Sequence, residues 1–118
     1  MPDSQNAIEY VRLNRERFLN ELKDLVAIPS ISTLDENKPD VQRAAEWVAA
    51  QLRSTGMDNV QIMPTALHPV VYGEWMGAGK SAPTVMIYGH YDVQPVDPIE
   101  LWSTEPFKPE VRGDYLFG

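Results

Sequence analysis

His90 and Asp92 are the residues of this sequence whose types and spacing point most directly to chemistry. They follow an apolar run at residues 84–88 and a glycine. In extended backbone, alternate side chains share a face, so this spacing predicts that the imidazole and the carboxylate lie side by side. A metal-binding histidine usually donates its other ring N–H to a carboxylate, and a catalytic histidine needs similar orientation. The pair therefore predicts half of a site, with a structural histidine as the alternative.

The rest of the sequence offers few partners for that half-site. Catalytic zinc sites use about three protein ligands, so one imidazole is not enough. The chain has no cysteine, which excludes a thiol nucleophile and cysteine ligands. His68 stands before Pro69 in a predicted loop and is expected to be a surface histidine. Ser30 and Ser32 lie in a loop with no evident histidine partner, so neither is a good nucleophile candidate.

Composition narrows the class of protein. The chain has 118 residues, the usual size of one domain, and 17 acidic residues against ten basic ones give a net charge of −7. A nucleic-acid partner is not expected, because binding to phosphates needs clustered Lys and Arg. The first ten residues do not resemble a signal peptide, and no apolar run approaches the roughly 20 residues of a membrane helix. These features predict a soluble, cytoplasmic protein with no membrane partner.

Hydrophobic periodicity predicts two helices in the first half of the chain. The first covers residues 6–27, with its apolar positions on one stripe. Pro29 ends this helix, because the proline ring disfavours helical geometry in the residue before it. The second begins near Pro39, which suits a first helical turn, and ends before Gly56. Both helices are amphipathic, so each is expected to pack against another element.

The second half of the chain is predicted to form strands. Short runs rich in β-branched and aromatic residues predict strands at 59–63, 70–75 and 84–88, and a further strand or turn at 111–117. The run at 84–88 is apolar throughout after its first residue, which predicts a central strand buried on both faces. Helices followed by strands indicate an α/β layered domain with a mixed sheet.

One segment and its surroundings resemble a known family. Residues 89–95 read Gly-His-Tyr-Asp-Val-Gln-Pro, and the supporting elements are Leu101-Trp102, Pro-Phe-Lys-Pro at 106–109, the opening segment at 25–32 and the run at 113–118. Together they strongly resemble the M20 family of zinc metallopeptidases, and within it the carnosinase-like dipeptidases. The resemblance implies that residues 1–118 form the amino-terminal portion of an M20 catalytic domain, incomplete and without the family's lid domain.

The same resemblance implies roles for single residues. His90 matches a ligand of one zinc in a two-zinc centre, and Asp92 matches the active-site acid that hydrogen-bonds this histidine. The bridging aspartate, the general base and the other ligands of the family are expected beyond Gly118, so the 118 residues alone are expected to be inactive. Three acidic residues match no ligand position and are expected to be solvated charges: Asp97, Glu100 and Asp114.

Three functions stay open at this point. The resemblance implies first a zinc-dependent hydrolase that cleaves the amide bond of dipeptides, with a small peptide as its substrate partner and a homodimeric parent protein left open. A second alternative keeps the fold and changes the substrate, as an N-acyl amino-acid deacylase or a carbamoyl-amide hydrolase. A third is a non-catalytic truncated piece. Trp102 and Phe107 are aromatic residues that either border a pocket or, as we favour, pack a loop onto the core.

Overall fold

The computed structural model describes residues 4–118 and divides them into helices and short strands. The elements are α1 (Ser4–Leu13), α2 (Arg15–Val26), α3 (Lys38–Ser54), β1 (Asp58–Met63), β2 (Val70–Glu74), β3 (Glu110–Arg112) and β4 (Tyr115–Phe117). Two compact units are present, one formed by Ile28–Leu101 and the other by the segments on either side of it. No helix among residues 4–118 is long and apolar enough to cross a membrane.

The Ile28–Leu101 unit is built on α3 and the hairpin of β1 and β2. Proline lies in the first turn of α3, as predicted for Pro39. Small apolar residues at helical spacing are fully buried along one face of α3: Val41, Ala44, Ala45 and Ala49. Both hairpin strands contact α3. A methyl group on Gly73 of β2 would lie 3.2 Å from the Leu52 side chain, so glycine permits this close packing.

The other unit contains α1, α2 and the hairpin of β3 and β4. The single helix predicted at 6–27 is interrupted at Asn14, whose side-chain amide donates to the Tyr10 carbonyl at 2.9 Å. The helical hydrogen bonds continue across this position, because the Phe18 N–H donates to the Asn14 carbonyl. Neither α1 nor α2 contains a buried residue.

The prediction of a central buried strand at residues 84–88 is wrong. In the described part of the chain no strand pairs with this segment, and the side chains of its last four residues are 80–90% exposed. An apolar run sets a preference for extended backbone, but a strand forms only where a neighbouring edge supplies hydrogen bonds. The strands predicted at 59–63 and 70–75 correspond to β1 and β2, and the run at 111–117 becomes the β3–β4 hairpin.

Pairing between strands is antiparallel in both hairpins. One isolated parallel bridge joins Ile31 to Val93. The α/β class is confirmed, with helices and strands in the same compact units. This bridge lies one residue from Asp92.

Candidate functional site

The segment that carries His90 and Asp92 is held by the loop that follows α2. The Val93 N–H donates to the Ser30 carbonyl at 3.0 Å, next to the Ile31–Val93 bridge. The Ser30 hydroxyl is buried and donates to the Tyr91 carbonyl at 2.8 Å. Ile28 and Ile31 are buried as well and anchor the loop by apolar packing. Two backbone segments far apart in sequence are therefore fastened beside the candidate site.

His90 and Asp92 lie side by side, as their spacing predicts. His90 Nδ1 is 3.1 Å from Asp92 Oδ1 and 2.9 Å from the Asp92 carbonyl oxygen. Both oxygens accept hydrogen bonds, so Nδ1 carries the proton and Nε2 keeps its lone pair. The His90 side chain is 78% exposed. In the neutral imidazole, this arrangement leaves the Nε2 lone pair for an incoming metal ion or proton.

The other carboxylate oxygen of Asp92 has its own partner. The Ser32 hydroxyl donates to Asp92 Oδ2 at 2.6 Å. This hydrogen bond makes the largest contribution to lowering the pKa of Asp92; partial burial opposes it, and the Asp92 backbone and His90 add smaller lowering effects. Asp92 is therefore a carboxylate at neutral pH, the form that accepts from both neighbours.

Sequence reasoning missed Ser32 because it looked for a histidine partner. The residue that Ser32 contacts is an aspartate 60 positions away in the chain. No spacing rule for helices or strands relates residues that far apart, because the contact depends on how the loop after α2 packs against the segment of Asp92.

His68 plays a different part from the one expected. It is half-buried, and its Nε2 lies 2.7 Å from the Ser32 carbonyl, which can only accept, so Nε2 donates. The neighbouring Pro69 carbonyl accepts from the Tyr91 hydroxyl. Burial, and secondly the charge of Asp92, raise the pKa of Tyr91. The turn containing His68 therefore makes hydrogen bonds to both segments of the site, through Ser32 and Tyr91.

The three acidic residues that were expected to be solvated charges are exposed: Asp97, Glu100 and Asp114. Among residues 4–118, no group of three or more His, Cys, Asp or Glu side chains lies close enough to hold a metal ion. His90 offers one nitrogen and Asp92 the orienting carboxylate, which fits one ligand of a zinc site. The His90–Asp92 pair would therefore supply one ligand and its orienting partner to such a site.

Comparison with known proteins shows which proteins this chain resembles. No protein-family model matches the sequence. A Cys-Gly metallodipeptidase of Candida albicans is 31% identical over 105 residues, which cover 79% of this chain and 21% of that protein. The solved structure of the di-peptidase Dug1p from Saccharomyces cerevisiae matches with a TM-score of 0.80 and 28% identity, over 88% of this chain and 24% of that one. The chain is therefore similar in sequence and in fold to metallodipeptidases.

A protein named for a different substrate also matches this chain. A succinyl-diaminopimelate desuccinylase of Xylella fastidiosa is 32% identical over 95 residues, covering 80% of this chain and 22% of that protein. The chain thus spans between a fifth and a quarter of the length of these three relatives. The predicted relationship to dipeptidases that depend on a metal is confirmed.

Proposed function

We propose that the intact protein is a zinc-dependent hydrolase of the M20 type that cleaves the amide bond of dipeptides. The observation that carries the proposal is the His90–Asp92 pair, in which Nδ1 lies 3.1 Å from a carboxylate oxygen and the imidazole side chain is exposed. The names of the metallodipeptidase relatives support the reaction class. We infer that the protein acts in the cytoplasm on small peptides.

His90 would hold the zinc ion through Nε2. Asp92 accepts a hydrogen bond from Nδ1–H, which fixes the tautomer and orientation of the ring and increases its basicity. Zinc held there would supply Lewis acidity toward the scissile carbonyl and would lower the pKa of a water molecule. A site with about three protein ligands needs donors beyond this pair.

A second candidate function is removal of an acyl group from an amino acid. The desuccinylase relative favours it, because that protein matches nearly the same share of this chain as the dipeptidases do. The two candidates cleave the same type of bond, an amide, and differ in the acyl group that is removed from the amine. A non-catalytic piece is the third candidate, because His90 and Asp92 by themselves supply only part of a zinc site.

The test is an assay of the purified intact protein on two substrate sets. One set contains dipeptides, Cys-Gly among them, and the other contains N-acyl amino acids, N-succinyl compounds among them. We expect zinc-dependent release of free amino acids from the dipeptides, lost on chelation and restored by zinc. Turnover of the acylated set alone would favour the deacylase. No turnover of either set by zinc-loaded protein would favour the non-catalytic piece.

A further inference from the structure

Ser32 lies next to the His90–Asp92 pair and makes two hydrogen bonds, one through its side chain and one through its backbone. Its hydroxyl donates to Asp92 Oδ2 at 2.6 Å, and its carbonyl accepts from His68 Nε2 at 2.7 Å. The residue is half-buried. A side chain fixed in this way costs little further entropy when it makes its hydrogen bond, because its backbone is already placed.

The two oxygens of the Asp92 carboxylate have separate partners. Oδ2 accepts from Ser32, and Oδ1 faces His90 Nδ1. The Asp92 side chain is 40% exposed, so water competes for both oxygens. Removal of the Ser32 hydroxyl would remove the hydrogen bond that restrains the carboxylate from the Oδ2 side. The carboxylate would then rotate more freely, and Oδ1 would share its time between His90 and water.

We propose that Ser32 is a positioning residue, whose hydroxyl turns the Asp92 carboxylate so that Oδ1 orients the His90 ring for metal binding. The inference rests on the proposed function of His90 as a zinc ligand. Ser32 acts through Asp92 and does not touch substrate or metal.

A nucleophilic role for Ser32 does not fit the same geometry. The carboxylate of Asp92 stands between the serine hydroxyl and the imidazole, so His90 cannot take the hydroxyl proton directly. A nucleophilic serine needs its base within hydrogen-bond reach, whereas this imidazole is bonded to the opposite oxygen of the carboxylate. In this chain of hydrogen bonds, Ser32 holds the Asp92 carboxylate and the carboxylate orients the His90 ring.

Ser30 supplies a matched control. It lies two residues away and is more deeply buried, and its hydroxyl also donates a hydrogen bond to the segment of His90, but the acceptor is the Tyr91 carbonyl. Ser30→Ala therefore removes a tie between the same two segments and leaves the Asp92 carboxylate untouched. A purely structural role for Ser32 predicts that the two alanine variants behave alike.

The experiment compares Ser32→Ala, Ser32→Thr and Ser30→Ala in the intact protein. Zinc affinity is measured by competition with a chromophoric chelator, and the His90 tautomer is read from ring ¹⁵N shifts of the metal-free protein. We expect Ser32→Ala to weaken zinc binding roughly 3- to 10-fold, at or below the range of outer-partner losses, and to lower the Nδ1–H fraction of His90. Its kcat on dipeptides should fall by a similar factor with KM unchanged.

Ser32→Thr retains the hydroxyl and should restore all three values. Ser30→Ala should lower thermal stability while keeping wild-type zinc affinity and tautomer. Equal zinc affinity and equal tautomer fractions in both alanine variants would overturn the proposal, as would a folded Ser32→Thr protein that binds zinc as weakly as Ser32→Ala. Wild-type protein that binds zinc but hydrolyses no dipeptide would count against the proposed function, while the affinity and tautomer comparisons would still decide the role of Ser32.

Discussion

The two histidines of this chain lie in neighbouring loops and use opposite ring nitrogens. His68 is half-buried and donates from Nε2 to the Ser32 carbonyl. His90 is exposed and donates from Nδ1 to the carboxylate and carbonyl oxygens of Asp92. The same type of side chain therefore makes a hydrogen bond to the backbone in the His68 loop and has an oriented ring in the His90 loop.

The difference shows that the partner of a histidine decides its role more than its position in a loop. A carbonyl orients an imidazole without adding a charge, whereas a carboxylate orients it and also raises its basicity as a ligand. Asp92 is kept ionised first of all by the Ser32 hydroxyl, which lowers its pKa. The His90 loop consequently has the electrostatics that a metal ligand needs, and the His68 loop has a structural hydrogen bond.

Replacing each histidine in turn gives the largest expected effect. In the intact protein, His90→Ala should lower kcat/KM on dipeptides by more than about 100-fold, because it removes a ligand, and loss of an outer partner alone costs about 10–100-fold. His68→Ala should keep activity within a few-fold and lower the free energy of unfolding by about 1 kcal/mol through its lost hydrogen bond. Steady-state kinetics and denaturant unfolding measure the two. Equal losses of activity would remove the distinction between the loops.

The carboxylate behind His90 should give the second largest effect. Asp92→Asn keeps the shape of the side chain but replaces the charged acceptor, so we expect a loss of about 10–100-fold in kcat/KM and weaker zinc binding. Asp97→Asn is the matched control, since Asp97 is an exposed acid five residues along the same segment. Full turnover by Asp92→Asn would show that the ring does not depend on that charge.

Loss of the hydrogen bond between the Tyr91 hydroxyl and the Pro69 carbonyl should have the smallest effect, and this effect on stability should depend on pH. Tyr91→Phe removes the hydrogen bond to the Pro69 carbonyl and should lower the free energy of unfolding by about 1 kcal/mol. The folded pKa of Tyr91 lies above its ordinary value of 10.0, so its contribution is complete below pH 10 and is lost as the pH rises through the folded pKa.

Unfolding curves of wild type and Tyr91→Phe should therefore differ at neutral pH and converge at strongly alkaline pH. Tyr88→Phe makes the same chemical change at an exposed ring and should change stability little. A gap that stays constant, or widens, above pH 10 would contradict the role given to the Tyr91 hydroxyl.

Two apolar stretches show how much of the fold the sequence predicts. The stripe of α3 is buried as its periodicity predicts, because the β1–β2 hairpin lies next to it. The run at 84–88 is as apolar, yet its last four side chains are 80–90% exposed, because no described strand lies along its edges. Periodicity reports which surface favours burial; the partner that buries it is a property of tertiary structure.

The candidate site likewise contains one contact that the sequence predicts and others that it does not. The contact between His90 and Asp92 follows from two-residue spacing in extended chain, so the sequence alone predicts it. The hydrogen bonds of Ser32 and His68 join residues 60 and 36 positions apart and follow from how the loops meet. Local spacing predicts the pair that would bind the metal, and long-range contacts supply the residues that orient it.

The ring tautomer of both histidines and its response to zinc most directly test whether Asp92 prepares His90 as the metal ligand. Long-range ¹H–¹⁵N NMR of the intact metal-free protein, with each ring assigned by substitution, should show His90 protonated at Nδ1 and His68 protonated at Nε2. Addition of Zn²⁺ should shift Nε2 of His90 and leave His68 unchanged. A His90 ring protonated at Nε2, or a zinc-induced shift at His68 with none at His90, would contradict that role of Asp92.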